Sequence, residues 1–253
     1  MTSSPQQPSV SLPTWDHLSS SSDEALFKAF EDTPYRFPSP WLINPVSIRR
    51  IATDAVMRTT IPIPAVRRVL GADQMSGIII DYIPGRTLAH CWPALTFWQR
   101  VRIIWIIRGY IRQLRRVRPT KAGSRALFPG PVANEPEECI GPMFTEYGAG
   151  PFASYEELTA WFMHKLDVNR RVTKYPPESQ RMAFDSSLPL VLTHLDLHPN
   201  NVIVGDDGRV WLIDWETAGF YPQWFEYASM RAGWDILGRW KLIGWALNTG
   251  ALL

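Results

Sequence analysis

The stretch that most constrains this chain is Leu192-Thr193-His194-Leu195-Asp196-Leu197-His198-Pro199-Asn200-Asn201, followed a few residues later by Ile213-Asp214-Trp215-Glu216. Its spacing is H-x-D-x-x-x-x-N, then two brief apolar runs, then an acidic residue at a strand end. Asn201 to Gly205 and Val210 to Ile213 read as two strands, and Asp206-Asp207-Gly208 between them is a strong hairpin-turn signal. Leu188 to Leu192 is a third apolar run, leading into the histidine. A loop leaving one strand and a loop leaving its hairpin partner open at the same edge of a small sheet, so Asp196, Asn201 and Asp214 converge on one site. Carboxylates that close repel one another unless a divalent cation lies between them. Phosphoryl transfer asks a protein for this set: a carboxylate to orient an acceptor hydroxyl, and oxygen ligands to hold Mg²⁺ against phosphates. Asp196 suits the first task, Asn201 and Asp214 the second. Glu216 reads equally as a further metal ligand or a solvated loop residue, and His194 and His198 read as loop scaffolding.

Around this block the chain reads as a mixture of helices and short strands. Residues 1–22 are rich in Ser, Pro and Gln, a composition that buries too little surface to offset its ordering entropy, and they are expected to form a tail. Helices are expected at Asp23 to Phe30 and Ser47 to Thr59. Val66 to Leu70 and Gly77 to Ile83 read as a hairpin about a Gly71 to Ser76 turn. Phe97 to Arg118 reads as one long helix, apolar on most sides in its first half and therefore expected to be buried. Ser154, with Glu157 three residues on, is a capping-box pattern opening a helix to about Arg171. Trp224 to Trp245 is aromatic-rich and expected to be helical, with Trp224, Phe225, Glu226 and Trp234 as pocket or core residues.

Charge and cysteine content exclude several alternatives. Twenty-six basic residues against 24 acidic ones leave a net charge of +2, which argues for neither a nucleic-acid nor a membrane partner. From Phe97 to Lys121 there are eight basic residues and no acidic one, readable as an anionic contact or as arginine stems covering an ordinary surface. Cys91 and Cys139 are too few for a disulfide framework or zinc site. With no h-region at the start and no apolar run of spanning length, the chain is expected to be soluble and cytoplasmic.

The block resembles the catalytic loop of the aminoglycoside phosphotransferase and choline kinase-like family, and within it most closely a fungal branch. The resemblance extends to Ile61-Pro62-Ile63-Pro64, to Asp81-Tyr82-Ile83-Pro84-Gly85-Arg86-Thr87-Leu88, to Gly150-Pro151-Phe152 and to Phe220-Tyr221-Pro222. It implies an α+β, protein-kinase-like two-lobed fold, with an abbreviated amino-terminal lobe and hinge over 23–83 and a mainly helical carboxy-terminal lobe over 84–253. By that resemblance Asp196 is the catalytic base, Asn201 and Asp214 hold Mg²⁺ and the nucleotide phosphates, and His194 supports the catalytic loop. Asp81, Tyr82 and Ile83 form the hinge that meets adenine. ATP and Mg²⁺ are the implied cofactors and a small-molecule hydroxyl the acceptor.

The resemblance also implies a glycine-rich phosphate loop and a strand lysine. Neither is present: no glycine precedes Gly71, and the only lysine before Lys121 is Lys28. Arg49 or Arg50 is the substitute for the lysine and Asp54 for its helix glutamate. Arginine brings a planar fork where a flexible point charge is expected. The alternative to an active kinase is therefore a catalytically impaired pseudokinase or binding module on the same fold.

Overall fold

The computed structural model describes residues 19–31, 59–72, 75–117, 128–173 and 184–232. Helix α1 (Asp23–Glu31) comes first, then a hairpin of β1 (Val66–Ala72) and β2 (Met75–Ile80). Strand β3 (Gly85–Thr87) runs into the short α2 (Leu88–Cys91), and Thr96 caps the long helix α3 (Phe97–Leu114). Strand β4 (Gly130–Pro131) and helix α4 (Tyr155–Thr173) follow. The remainder is β5 (Leu190–Thr193), β6 (Val202–Gly205), β7 (Val210–Leu212), β8 (Gly219–Pro222) and α5 (Phe225–Ala232). Three antiparallel sheets result: β1-β2, β3-β6-β7 and β4-β8-β5. No described helix is long and apolar enough to cross a membrane.

Local chemistry accounts for the ends of these elements. Thr96 accepts from the Gln99 N–H while the Gln99 side chain accepts from the Thr96 N–H, a reciprocal capping box that starts α3. At α4 the expected pair is present, with Ser154 accepting from the Glu157 N–H and the Glu157 carboxylate reaching back to the Ala153 N–H. Gly208 turns the β6-β7 hairpin at φ 77°, as the Asp-Asp-Gly signal predicts. Gly85 is required at the start of β3: φ is 155°, and a Cβ there would lie 2.5 Å from the Val204 carbonyl oxygen across the strand pair.

Two apolar clusters hold the carboxy-terminal part. The first packs one stripe of α3 (Ile103, Ile107, Ile111 and Leu114) against Leu192, Val202 and Leu212 of three strands. The buried Tyr110 hydroxyl donates to the Val210 carbonyl at 2.9 Å, and the Leu212 N–H donates to the Pro62 carbonyl at 3.0 Å. Helix α3 and the Ile61 to Pro64 segment thus both grip the hairpin. The second cluster is aromatic: Phe225 and Tyr221 stack at 5.7 Å, and Phe144, Phe162 and Phe184 surround them. Each fully buried side chain of this size is worth about 1.5–3 kcal/mol.

Several expectations are corrected. Helix α3 is not buried all round, because its apolar residues divide between two faces. Ile103, Ile107 and Leu114 point inward, whereas Phe97, Trp98 and Trp105 are 68%, 76% and 62% exposed and Arg108 lies over the Trp105 ring. The strand expected to reach Ile83 ends at Ile80, and pairing with β1 continues only through the Asp81 N–H to the Ala65 carbonyl. Strands β3, β4 and β8 are additional to those expected; Pro131 ends a two-residue edge strand, where proline is tolerated, and Pro222 is the last residue of β8. The expected helix from Ser47, with Arg49, Arg50 and Asp54, lies outside the described residues up to residue 58, as do residues 1–18 and everything beyond Ala232, including Trp234.

Candidate active site

Asp196 is held from both sides by burial. Its neighbour Leu195 is 0% exposed in the aromatic cluster, and its other neighbour Leu197 is 3% exposed in the first cluster, so the loop is pinned into two separate cores. Between them Asp196 is half-buried. Leu195 takes a left-handed backbone at φ 66°, and Asp214 does the same at φ 65°. They are the only non-glycine residues of that kind among the described residues. Such a conformation in a bulky side chain costs on the order of 1–3 kcal/mol and persists where surrounding contacts enforce it. One immediately precedes Asp196 and the other is Asp214 itself.

Asn201 joins Asp196 directly. Its Nδ2 donates to the Asp196 carboxylate Oδ2 at 2.8 Å and to the Asp196 carbonyl at 3.0 Å, which leaves Oδ1 as the amide's ligand atom. A one-turn 3₁₀ helix, Pro199–Asn201, carries it there, capped by the His198 ring nitrogen accepting from the Asn200 N–H. The Ile213 N–H donates to the Asn201 carbonyl at 3.0 Å, extending the Val202–Leu212 pairing by one step and bringing the residue before Asp214 beside Asn201. His194 closes the circle from below: its buried ring donates from Nε2 to the Ile213 carbonyl at 2.9 Å and lies 4.5 Å from the Trp215 ring. Burial holds this imidazole below its ordinary pKa, so it is a neutral tie between the two loops.

The electrostatics are those of acids that bear on one another. Asp214 reaches solvent on one side, yet the surrounding protein, and then the charge of Asp196, push its carboxyl above the usual carboxylate range. Glu216 is pushed up to about 7 by burial first, then by Asp214 and Asp196. Its Oε2 is buried and has no hydrogen-bond partner. The charges of Asp214 and Asp196 both bear on this acid, and a divalent cation among them would relieve that repulsion. No three His, Cys, Asp or Glu side chains among the described residues close into a cage of their own.

The expected hinge is a separate feature. Asp81 is ion-paired with Arg67, with Nη2 to Oδ2 at 3.0 Å, and its N–H is used by Ala65. Tyr82 is 82% exposed, and Ile83 is half-buried in the crossing from β2 to β3. Arg68 is ion-paired with Asp23 of α1 and donates to the Ser21 carbonyl at 2.8 Å. Both arginines of β1 are thus committed to partners of this chain.

Three residues support the His194 to Asp196 loop without having been singled out for that in the sequence. Thr217 donates from Oγ1 to the His194 carbonyl at 3.1 Å. Gly141, at φ 118°, leaves room for the loop: a Cβ there would lie 3.2 Å from Thr217 and 3.3 Å from Leu195. Glu226, read from the sequence only as a pocket or core residue, is buried and accepts from the His194 and Leu195 N–H groups. The available signal was its position in Trp224-Phe225-Glu226-Tyr227, because an acid within a buried aromatic run needs dedicated partners. Phe225 is core as well, at 0% exposure.

Residues 49–251 match the phosphotransferase enzyme family (APH), and the chain belongs to that family. Its α+β, kinase-like two-lobed class follows from that membership together with the helices and sheets observed. Among solved structures it is similar to the ADP-bound aminoglycoside phosphotransferase APH(2'')-Ib, at 12% identity and a TM-score of 0.49, covering 90% of this chain and 81% of that one. It is also similar to the streptomycin-ATP-APH(2")-IIa ternary complex, at 11% identity and a TM-score of 0.46, covering 85% and 75%. No curated protein matches the chain.

Proposed function

We propose that this protein transfers the γ-phosphate of ATP to a hydroxyl of a small molecule, with Asp196 orienting that hydroxyl. The observation that carries this reading is the Asn201 bridge: its side-chain amide binds Asp196 through nitrogen, and its main-chain carbonyl binds the N–H of Ile213, the residue before Asp214. Asn201 and Asp214, with Glu216 at hand, would hold Mg²⁺, which when bound neutralises charge on the phosphates. Asp196 accepts the hydrogen bond of the incoming hydroxyl and takes its proton late in transfer. His194 keeps the two loops in register, and neutral imidazole adds no charge to compete with the metal. Residues 23–83 would form an abbreviated amino-terminal lobe ending in the Asp81 to Ile83 hinge for adenine, and residues 84–253 the catalytic lobe.

The test is transfer from γ-labelled ATP to a panel of amino-alcohols, amino acids and aminoglycosides, with Asp196→Asn in parallel. Label should move to at least one acceptor, and the variant should lose about 10²–10⁴-fold, the usual worth of a positioned base. Equal transfer by both proteins would contradict the assignment.

One observation favours a second reading, a nucleotide-free binding module: Arg67 and Arg68 are engaged with Asp81 and Asp23, and no lysine lies between Lys28 and Lys121. A thermal shift separates the two. Mg-ATP at ~100 times its dissociation constant stabilises a binder by about 2.7 kcal/mol and leaves a non-binder unmoved.

A further inference from the structure

Helix α3 has a second side that phosphoryl transfer leaves without a task. Its inward stripe is Ile103, Ile107, Ile111 and Leu114. On the opposite side Trp98, Arg102, Trp105, Gly109 and Arg112 recur at intervals of four and three residues, the spacing that sets side chains in one line along a helix. Both tryptophans and both arginines of that line are exposed. A Cβ added at Gly109 would meet no atom of the described residues within 4 Å, so the middle of the line is open. The exposed Phe97 stands edge-on to Trp98, ring centroids 5.2 Å apart, and widens the aromatic end. A lone exposed tryptophan is ordinary; two aligned on one helix, with a third aromatic ring beside the first, mark a contact surface.

The charge along this side has one sign. Helix α3 carries Arg100, Arg102, Arg108 and Arg112 and no acidic residue, and Arg116 is exposed just past its end. Arg108 lies over the Trp105 ring at 5.7 Å, so a cation rides on the aromatic patch itself. Acids come near at the β6-β7 turn, where the Gly208 carbonyl accepts from Arg102 at 3.3 Å: Asp206 and Asp207 lie there, and Arg209, paired with Asp207 at 2.7 Å, offsets one of them. The net charge of the chain is only +2, so any attraction to an anionic partner comes from this side of the helix and not from the whole molecule. Indole and guanidinium groups in line on the outward side of a helix fit the boundary of a lipid bilayer, where indole sits among headgroups and arginine meets phosphate. A second copy of the chain would oppose arginine to arginine. A single-stranded nucleic acid asks for a groove that tracks its backbone, whereas this surface is the side of one helix.

We propose that the Trp98 to Arg112 side of α3 docks this protein on anionic lipid headgroups at a membrane surface, with Phe97, Trp98 and Trp105 entering the headgroup layer and Arg108, Arg112 and Arg116 facing lipid phosphates. The contact is peripheral, and it stands whether or not Asp196 is catalytic.

The experiment is co-sedimentation of the full chain with sucrose-loaded vesicles of phosphatidylcholine, alone or with about one third phosphatidylserine. Wild type should partition at least about tenfold more strongly onto the anionic vesicles and should be released as salt rises. Trp98→Ala combined with Trp105→Ala should lower that partition at least about tenfold, and Arg112→Gln should lower it about fivefold, the worth of one basic charge near an anionic surface. Thermal melts check that each variant is folded; should the double tryptophan variant fail to fold, Arg112→Gln and the salt series decide. Partition onto neither kind of vesicle, or equally onto both, would overturn the proposal, as would partition that neither variant weakens. Two further results would give the surface to another occupant and also overturn it: a wild-type dimer that the tryptophan substitutions dissociate, or displacement from the vesicles by a single-stranded oligonucleotide that binds more tightly than they do.

Discussion

Asn201 and Asp196 are joined twice: one side-chain nitrogen donates to the carboxylate at 2.8 Å and to the main-chain carbonyl of the same residue at 3.0 Å. The amide therefore sets both where the acid lies and where its own oxygen faces. Asn201→Leu preserves size and removes both bonds. Turnover should fall about 100-fold or more, and unfolding in urea should show a stability loss of about 1–3 kcal/mol from the unpaired acceptors. Full turnover in this variant would place the reacting carboxylate elsewhere.

Gly141 makes a prediction from backbone geometry. At φ 118°, with Thr217 and Leu195 at 3.2 and 3.3 Å from an added Cβ, alanine is strained twice over. Gly141→Ala should cost about 1–3 kcal/mol. For a domain of this size the thermal midpoint moves about 2–4 °C per kcal/mol. An unchanged midpoint would mean the loop and the Gly141 turn are not packed together.

The two faces of α3 should respond in opposite ways. Ile107 is 0% exposed and touches the hairpin core, so Ile107→Ala should cost about 2–5 kcal/mol. Trp105 is 62% exposed, so Trp105→Ala should change stability by less than about 0.5 kcal/mol. Chemical denaturation of the two variants checks the orientation of the helix.

Glu226 also gives a pH dependence. Burial pushes its carboxyl from 4.5 up to about 7, against the opposing pull of the His194 N–H, Arg115 and the Leu195 N–H, while Asp196 adds to the rise. A raised folded-state pKa means that the folded protein binds the proton more tightly than the unfolded chain. The stability linked to that proton is fully present below about 4.5 and is lost as pH rises to about 7. The stability difference between wild type and Glu226→Gln should therefore shift against wild type across this window, by on the order of 2–3 kcal/mol. Taking the difference removes the contribution of His194, whose lowered pKa acts in the other direction. A difference independent of pH would show that Glu226 is ionised throughout.

What was legible in the sequence follows from the range of the interactions. The β6-β7 hairpin, the α4 cap and the convergence of Asn201 with the Asp214 loop depend on residues a few positions apart, and Asp-Asp-Gly or Ser-x-x-Glu record them locally. Strand β8 was illegible because Gly219-Phe220-Tyr221-Pro222 becomes a strand only by pairing with β5, about thirty residues earlier in the chain. The exposed tryptophans of α3 were misread because hydrophobicity alone does not say which face meets the core. The role of Glu226 was hidden for a related reason: its donors, His194 and Leu195, are backbone groups that carry no mark in the sequence.

The central claim is that Asn201 and Asp214 gather a divalent ion against a nucleotide beside Asp196. Manganese electron paramagnetic resonance tests it most directly, with Mn²⁺ standing in for Mg²⁺ and ATP added in stages. Wild type should immobilise Mn²⁺ only when ATP is present, and Asp214→Ala with Asn201→Ala should abolish that signal while the protein keeps a cooperative unfolding transition. Nucleotide-dependent Mn²⁺ binding that survives the double substitution would contradict the account.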